Sequence, residues 1–165
     1  PSGTPEPFPL IGLLSEPIKI VQAPKQTLVL YEIGGDFRQI YTDGRKPLTE
    51  VNLPAFFGYS VGRWERDTFV VETTGFNDKN PLDGLGNPHS DQLKVEERYH
   101  RADRNTMELT VVIDDAKAYT RSWLGRDKLK LTLLPPTTDL MEMIPSASEA
   151  ASVRSIYAAE AAPKK

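Results

Sequence analysis

From about residue 18 to residue 134 the chain alternates apolar and polar side chains in short runs rich in Val, Ile, Leu, Thr, Tyr and Phe, and Gly, Pro, Asp and Asn interrupt them. Successive side chains on a strand point to opposite faces, so a period of two predicts half-buried β-strands. Eight runs fit: 18–22, 27–33, 37–42, 60–66, 68–76, 92–101, 106–114 and 119–134. Tight links such as Ala23-Pro24, Gly34-Gly35, Arg66-Asp67 and Asp103-Arg104-Asn105 join several of them. Links that short favour antiparallel neighbours, and nothing between 18 and 134 reads as a crossover helix. The expected fold is therefore all-β: a single domain built on an eight-stranded antiparallel meander that closes into a lipocalin-like barrel, with a two-sheet sandwich as the alternative.

The two ends read differently. Five of the 14 prolines fall in the first 17 residues, which suits an extended arm over the barrel of 18–134. The tail SASEAASVRSIYAAEA (146–161) is alanine-rich, and Ser146 stands three residues before Glu149 in capping-box spacing, so one short C-terminal helix is expected.

Alternation also sorts the faces. Met107, Leu109, Val111 and Ile113 form one apolar face, as do Leu129, Leu131 and Leu133. The face begun by Leu93 and Val95 continues as Glu97 and Tyr99, and Leu28 and Leu30 continue as Glu32. A carboxylate on an apolar face is either at a wet strand end or paired inside, and Arg38 and Arg63 are the candidate partners. Two loops of about 15 residues, 43–57 and 77–91, exceed ordinary hairpin length and are placed to form a lid at one mouth.

Candidate chemistry follows from these segments. GYSVG at 58–62 matches the G-x-S-x-G of a nucleophile elbow, and Ser60, Asp78 and His89 follow in triad order. An elbow needs a helix directly after its serine, whereas RWERDTFVVETT reads as strand, so the glycines are better explained by a bulge or a close approach. His89 lies in NPHSD, where Asp91 or Asp78 is placed to orient the imidazole; the alternative is that it pins the loop. His100 falls on an outer, solvated face. Asp43-Gly44 reads first as a turn. Trp64 and Trp123, with Tyr31, Tyr41, Phe56 and Phe57, either line a cavity or fill the core.

Composition removes other classes. Twenty Lys and Arg against 23 Asp and Glu leave a net charge of −3 with no basic stripe, so no nucleic-acid partner is expected. No apolar run approaches the roughly 18–20 residues of a membrane helix, and insertion into a membrane is not expected. The absence of cysteine excludes disulfides and thiolate chemistry. Two histidines without H-x-H or H-x-x-x-H spacing give no metal signature, so neither metal nor cofactor is expected. The opening PSGTPEPFP carries no charged-then-apolar leader.

The blocks FRQIYTDGR, GYSVGRWERDTFVVETTGFNDK, PHSDQLKVEERYHRAD and VVIDDAKAYTRSW together resemble a group of bacterial proteins, many exported, whose pattern is roughly G-x-S-x-G-R-W-E-x-D-T-L-V-V-[DE]-T-x-G-F-N-D followed by P-H-S-D-x-L-x-V-x-E-R. The resemblance spans about residues 18–125 and implies a lipocalin-like barrel and a periplasmic or extracellular location. Two departures stand out: Arg66 replaces a glycine usual in that group, and the alanine-rich tail replaces a Cys- and Asn-containing segment.

The expectation that results is a cofactor-free acid/base enzyme (a lyase, isomerase, cyclase or hydratase) acting on a small, partly apolar organic molecule in the barrel mouth. His89, Glu97, Asp43 and Asp78 are its catalytic candidates. Arg38, Tyr41, Trp64, Phe76, Asn77, Ser90 and Tyr99 are its ligand-binding candidates. The alternative is a non-catalytic carrier of a hydrophobic small ligand. A small molecule is the expected partner in either case, and a homodimer is compatible with both.

Overall fold

A computed structural model describes residues 16–32, 35–49, 53–79, 81–83 and 86–141. Eight strands follow the alternation closely: β1 (Ile18–Ala23), β2 (Gln26–Tyr31), β3 (Phe37–Tyr41), β4 (Tyr59–Glu65), β5 (Thr68–Thr74), β6 (Lys94–Arg101), β7 (Thr106–Asp114) and β8 (Trp123–Thr132). They form one curled sheet in sequence order. Residues 146–161, where a helix is expected, and most of the proline-rich arm lie outside the described residues.

Two expectations about topology need correction. The sheet is not antiparallel throughout, because β3 and β4 run parallel, joined only through Ile40 opposite Ser60 and Tyr41 opposite Val61. Residues 42–58 make the connection that this parallel pair requires, and its described parts, 42–49 and 53–58, contain no helix. Nor is the barrel closed: the sheet is a half-barrel, and among the described residues β1 and β8 are unpaired with each other. Past β8 the chain crosses towards the other edge, where Lys19 Nζ donates to Asp139 Oδ1 at 2.9 Å and the Met141 amide donates to Glu32 Oε2 at 2.9 Å.

The concave face carries the core. Thr27, Val29 and Tyr31 point inward from β2, which leaves Leu28, Leu30 and Glu32 on the opposite face, half-exposed. Phe69, Val71 and Thr73 point inward from β5, Val95, Glu97 and Tyr99 from β6, and Leu109, Val111 and Ile113 from β7. Leu129 and Leu131 pack against this cluster, but Leu133 lies beyond the end of β8 and is exposed. The β7–β8 ladder shifts register between Leu109 and Val112, where β8 bulges.

Gly62 explains half of the GYSVG string. It faces inward beneath Phe69, and a Cβ there would lie 2.5 Å from the ring's Cζ and 2.9 Å from Ile40 Cγ2. Gly58 has a φ of +60°, and a Cβ there would lie 2.7 Å from the Thr74 carbonyl oxygen. Both glycines thus mark close approach within a sheet. Arg66, in the β4–β5 turn, has a φ of +59°, a left-handed conformation that favours glycine.

Gly62→Ala is expected to destabilise the fold by about 1–3 kcal/mol, the usual cost of overpacking a filled core, read as a lower urea midpoint with an unchanged m-value.

Candidate functional site

Two places bring polar side chains together, one inside the sheet and one on its outer face.

Inside, Arg38 reaches from β3 across the parallel junction. Its Nη2 donates to Glu97 Oε2 at 2.5 Å and to Thr73 Oγ1 at 2.7 Å, and its Nε donates to Ser60 Oγ at 2.9 Å. Ser60 and Thr73 bond each other at 3.0 Å, and the Tyr99 hydroxyl donates to Glu97 Oε1 at 2.7 Å. Arg38 and Glu97 are each 2% exposed. Burial works against the Arg38 charge, but the adjacent Glu97 carboxylate outweighs it and holds the guanidinium more firmly protonated than usual. Burial, reinforced by Glu97, pushes the Tyr99 phenol well above its ordinary value, and burial raises Tyr31 in the same way against the opposing influence of Arg38. Both carboxylate oxygens of Glu97 are engaged, and Ser60 is 2% exposed in mid-strand. The arrangement is a lock between strands.

The remaining sequence candidates do not join it. His89 is half-buried, with Nδ1 3.1 Å from the Ser90 carbonyl oxygen and its ring edge-on to Phe76 at 6.4 Å. Its loop is clamped from below: Asp115, 1% exposed, accepts from the Ser90 amide at 2.6 Å and the Ser90 hydroxyl at 2.7 Å, and also from the Lys117 and Ala118 amides. The Tyr119 hydroxyl donates to the Pro88 carbonyl at 2.7 Å. Asp43 is held by Arg45, whose guanidinium lies 3.7 Å over the Tyr41 ring and whose bonds lower Asp43 to about 2. Asn77 caps the turn that carries the exposed Asp78, accepting from the Lys79 amide. Trp64 is 59% exposed at the far end of β4, its ring tilted by 39° against Phe69 at 5.2 Å. Arg63, the other suggested partner of Glu97, is on the outer face, bonded to Glu65 and Glu72. His100 is outside as well, its Nδ1 3.7 Å from Asp67.

Asp115 is a loop clamp that sequence reading missed, although an Asp at a strand end before a turn is the usual signal for a side chain that caps backbone amides.

On the outer face the two long loops do meet. The Thr74 hydroxyl donates to the Leu48 carbonyl at 2.9 Å, the Tyr59 hydroxyl to the Leu53 carbonyl at 2.8 Å, and Ala55 bridges to Phe76. These ties hold residues 47–49 and 53–54 over β5 and leave a groove of about 700 Å³. Pro47, Leu48 and Pro54 wall one side, the ends of β5, β6 and β7 supply Glu72, Lys94 and Asp114, and Asp91 comes from the second loop. Of the sequence candidates only Phe76 lines it.

No family model, no characterised protein and no solved structure matches the chain.

Two outcomes test this geometry. Arg38→Met is expected to cost about 3–5 kcal/mol, since it leaves Glu97 buried and uncompensated, and adding Glu97→Leu should recover part of that loss in urea denaturation. Burial alone would raise Asp115, but the bonds from Ser90, Ala118 and Lys117 outweigh it and hold the carboxyl below its ordinary value. A depressed folded-state value stabilises above the unfolded carboxylate range, near pH 4, and that stability disappears as pH falls through the folded value. Asp115→Asn should therefore weaken the fold at pH 7 and flatten the acid limb of its pH–stability curve below about pH 4.

Proposed function

We propose that the protein binds a small, partly apolar organic molecule without transforming it, and that the groove walled by Pro47, Leu48 and Pro54 is the site. The observation that supports this reading most directly is the groove itself: at about 700 Å³ it falls within the range of small-molecule sites, and it is assembled from both long loops and three strand ends. The carrier reading is favoured over acid/base catalysis because the proton-handling candidates are spent elsewhere. Glu97 is committed to Arg38 and Tyr99 out of contact with solvent, Asp43 to Arg45, and His89 sits against Phe76 and the Ser90 carbonyl. The concave face, where a lipocalin-like guest would sit, holds a packed cluster from Val29 to Ile113.

The test is a ligand-observed NMR screen of small organic molecules, repeated with Leu48→Arg and with His89→Ala. Leu48 is 44% exposed, so the arginine should leave the melting temperature nearly unchanged while abolishing binding; His89→Ala should alter affinity by about twofold or less. Ligands that bind Leu48→Arg normally but lose affinity for His89→Ala, or that are chemically altered in a His89-dependent way, would overturn the reading.

A further inference from the structure

The charges around the groove are not equally occupied. Glu72 is bonded to Arg63, and Asp91 is paired with Lys117 at 2.7 Å. Lys94 and Asp114 are different. They stand directly opposite each other in the antiparallel β6–β7 register, both are exposed, and both line the groove. Neither makes a side-chain hydrogen bond or ion pair with any described residue.

Opposed residues of an antiparallel pair have Cβ atoms about 4.5–5.5 Å apart, close enough for one small molecule to touch both. An exposed Lys–Asp contact contributes little to a fold, so a ligand that engages both groups displaces no interaction of value. What remains is one cationic and one anionic group side by side, next to a wall of Pro47, Leu48 and Pro54.

Resting on the binding reading above, we infer that the groove takes an amphoteric ligand of the α-amino acid class with an apolar side chain. Its carboxylate would meet the Lys94 ammonium, its ammonium the Asp114 carboxylate, and its side chain the proline–leucine wall. A purely apolar guest would leave both charges idle. A simple anion or cation would be attracted by one of them and repelled by the other. Only a molecule bearing both signs within a few ångströms uses the pair.

Isothermal titration calorimetry on the full chain tests this with L-leucine and L-phenylalanine, their desamino acids, and the corresponding decarboxylated amines. The amino acids should bind at least about tenfold more tightly than either singly charged analogue, the increment expected of one charge-assisted hydrogen bond. Asp114→Asn should bring the amino acid to within about twofold of its desamino analogue, and Lys94→Gln should do the same relative to the amine. Both substitutions are on exposed positions and should leave the melting temperature in place, which the same samples report. Equal affinity for the amino acids and their singly charged analogues, with binding still abolished by Leu48→Arg, would overturn the inference while leaving the groove as a binding site. No binding of any of these probes, with a screened ligand still lost in Leu48→Arg, would overturn the amino-acid assignment alone. Binding by neither set would remove both.

Discussion

The Arg38–Glu97 ion pair is the constraint on which the rest of the molecule depends. The backbone ladder is nearly in two pieces: β1 to β3 on one side and β4 to β8 on the other are joined by only two ladder pairs. A seam that short contributes few ladder hydrogen bonds. Arg38 belongs to the first piece, while Ser60, Thr73 and Glu97 belong to the second. One guanidinium therefore spans the junction, with its charge compensated on the far side. Burying both charges is expensive, and that expense is offset because the fork also satisfies two hydroxyls and Tyr99 closes the carboxylate's second oxygen. The cost of misplacing any member gives the curl of the sheet one preferred geometry.

The outer face answers a different demand. Val70 points outward yet is fully buried, and its register neighbours are Arg63 and Arg98. Those two arginines connect Glu65, Glu72 and Glu96 in a chain of ion pairs across β4, β5 and β6. Long arginine stems cover apolar surface while their charged ends remain wet. The same network occupies Glu72 at the rim of the groove, whereas Lys94 and Asp114 form no ion pair among the described residues.

Strand positions were legible in the sequence to within a few residues because half-burial imposes a period of two. The parallel junction was not: it consists of two paired residues, and the loop that makes it possible carries no helical pattern to signal a crossover. Glu97 was legible as an oddity on an apolar face, and choosing Arg38 over Arg63 needed to know which side of β4 faces inward. Gly62 and Ser60 settle that, since both lie under the core while Arg63 points away. The groove was illegible for a plainer reason. Nothing in their own strands singles out Lys94 and Asp114, and it is Pro47, Leu48 and Pro54, distant in sequence, that wall their neighbourhood into a groove.

Among the described residues, β8 pairs with β7 along one side and with no strand along the other. On β8, Arg126, Asp127, Lys128 and Lys130 are exposed, and the ladder slips where Lys128 takes a φ of +50°. Charge and a local kink along a bare edge both discourage a second molecule from zipping onto it. The irregularity in β8 thus disfavours edge-to-edge pairing of one such sheet with another.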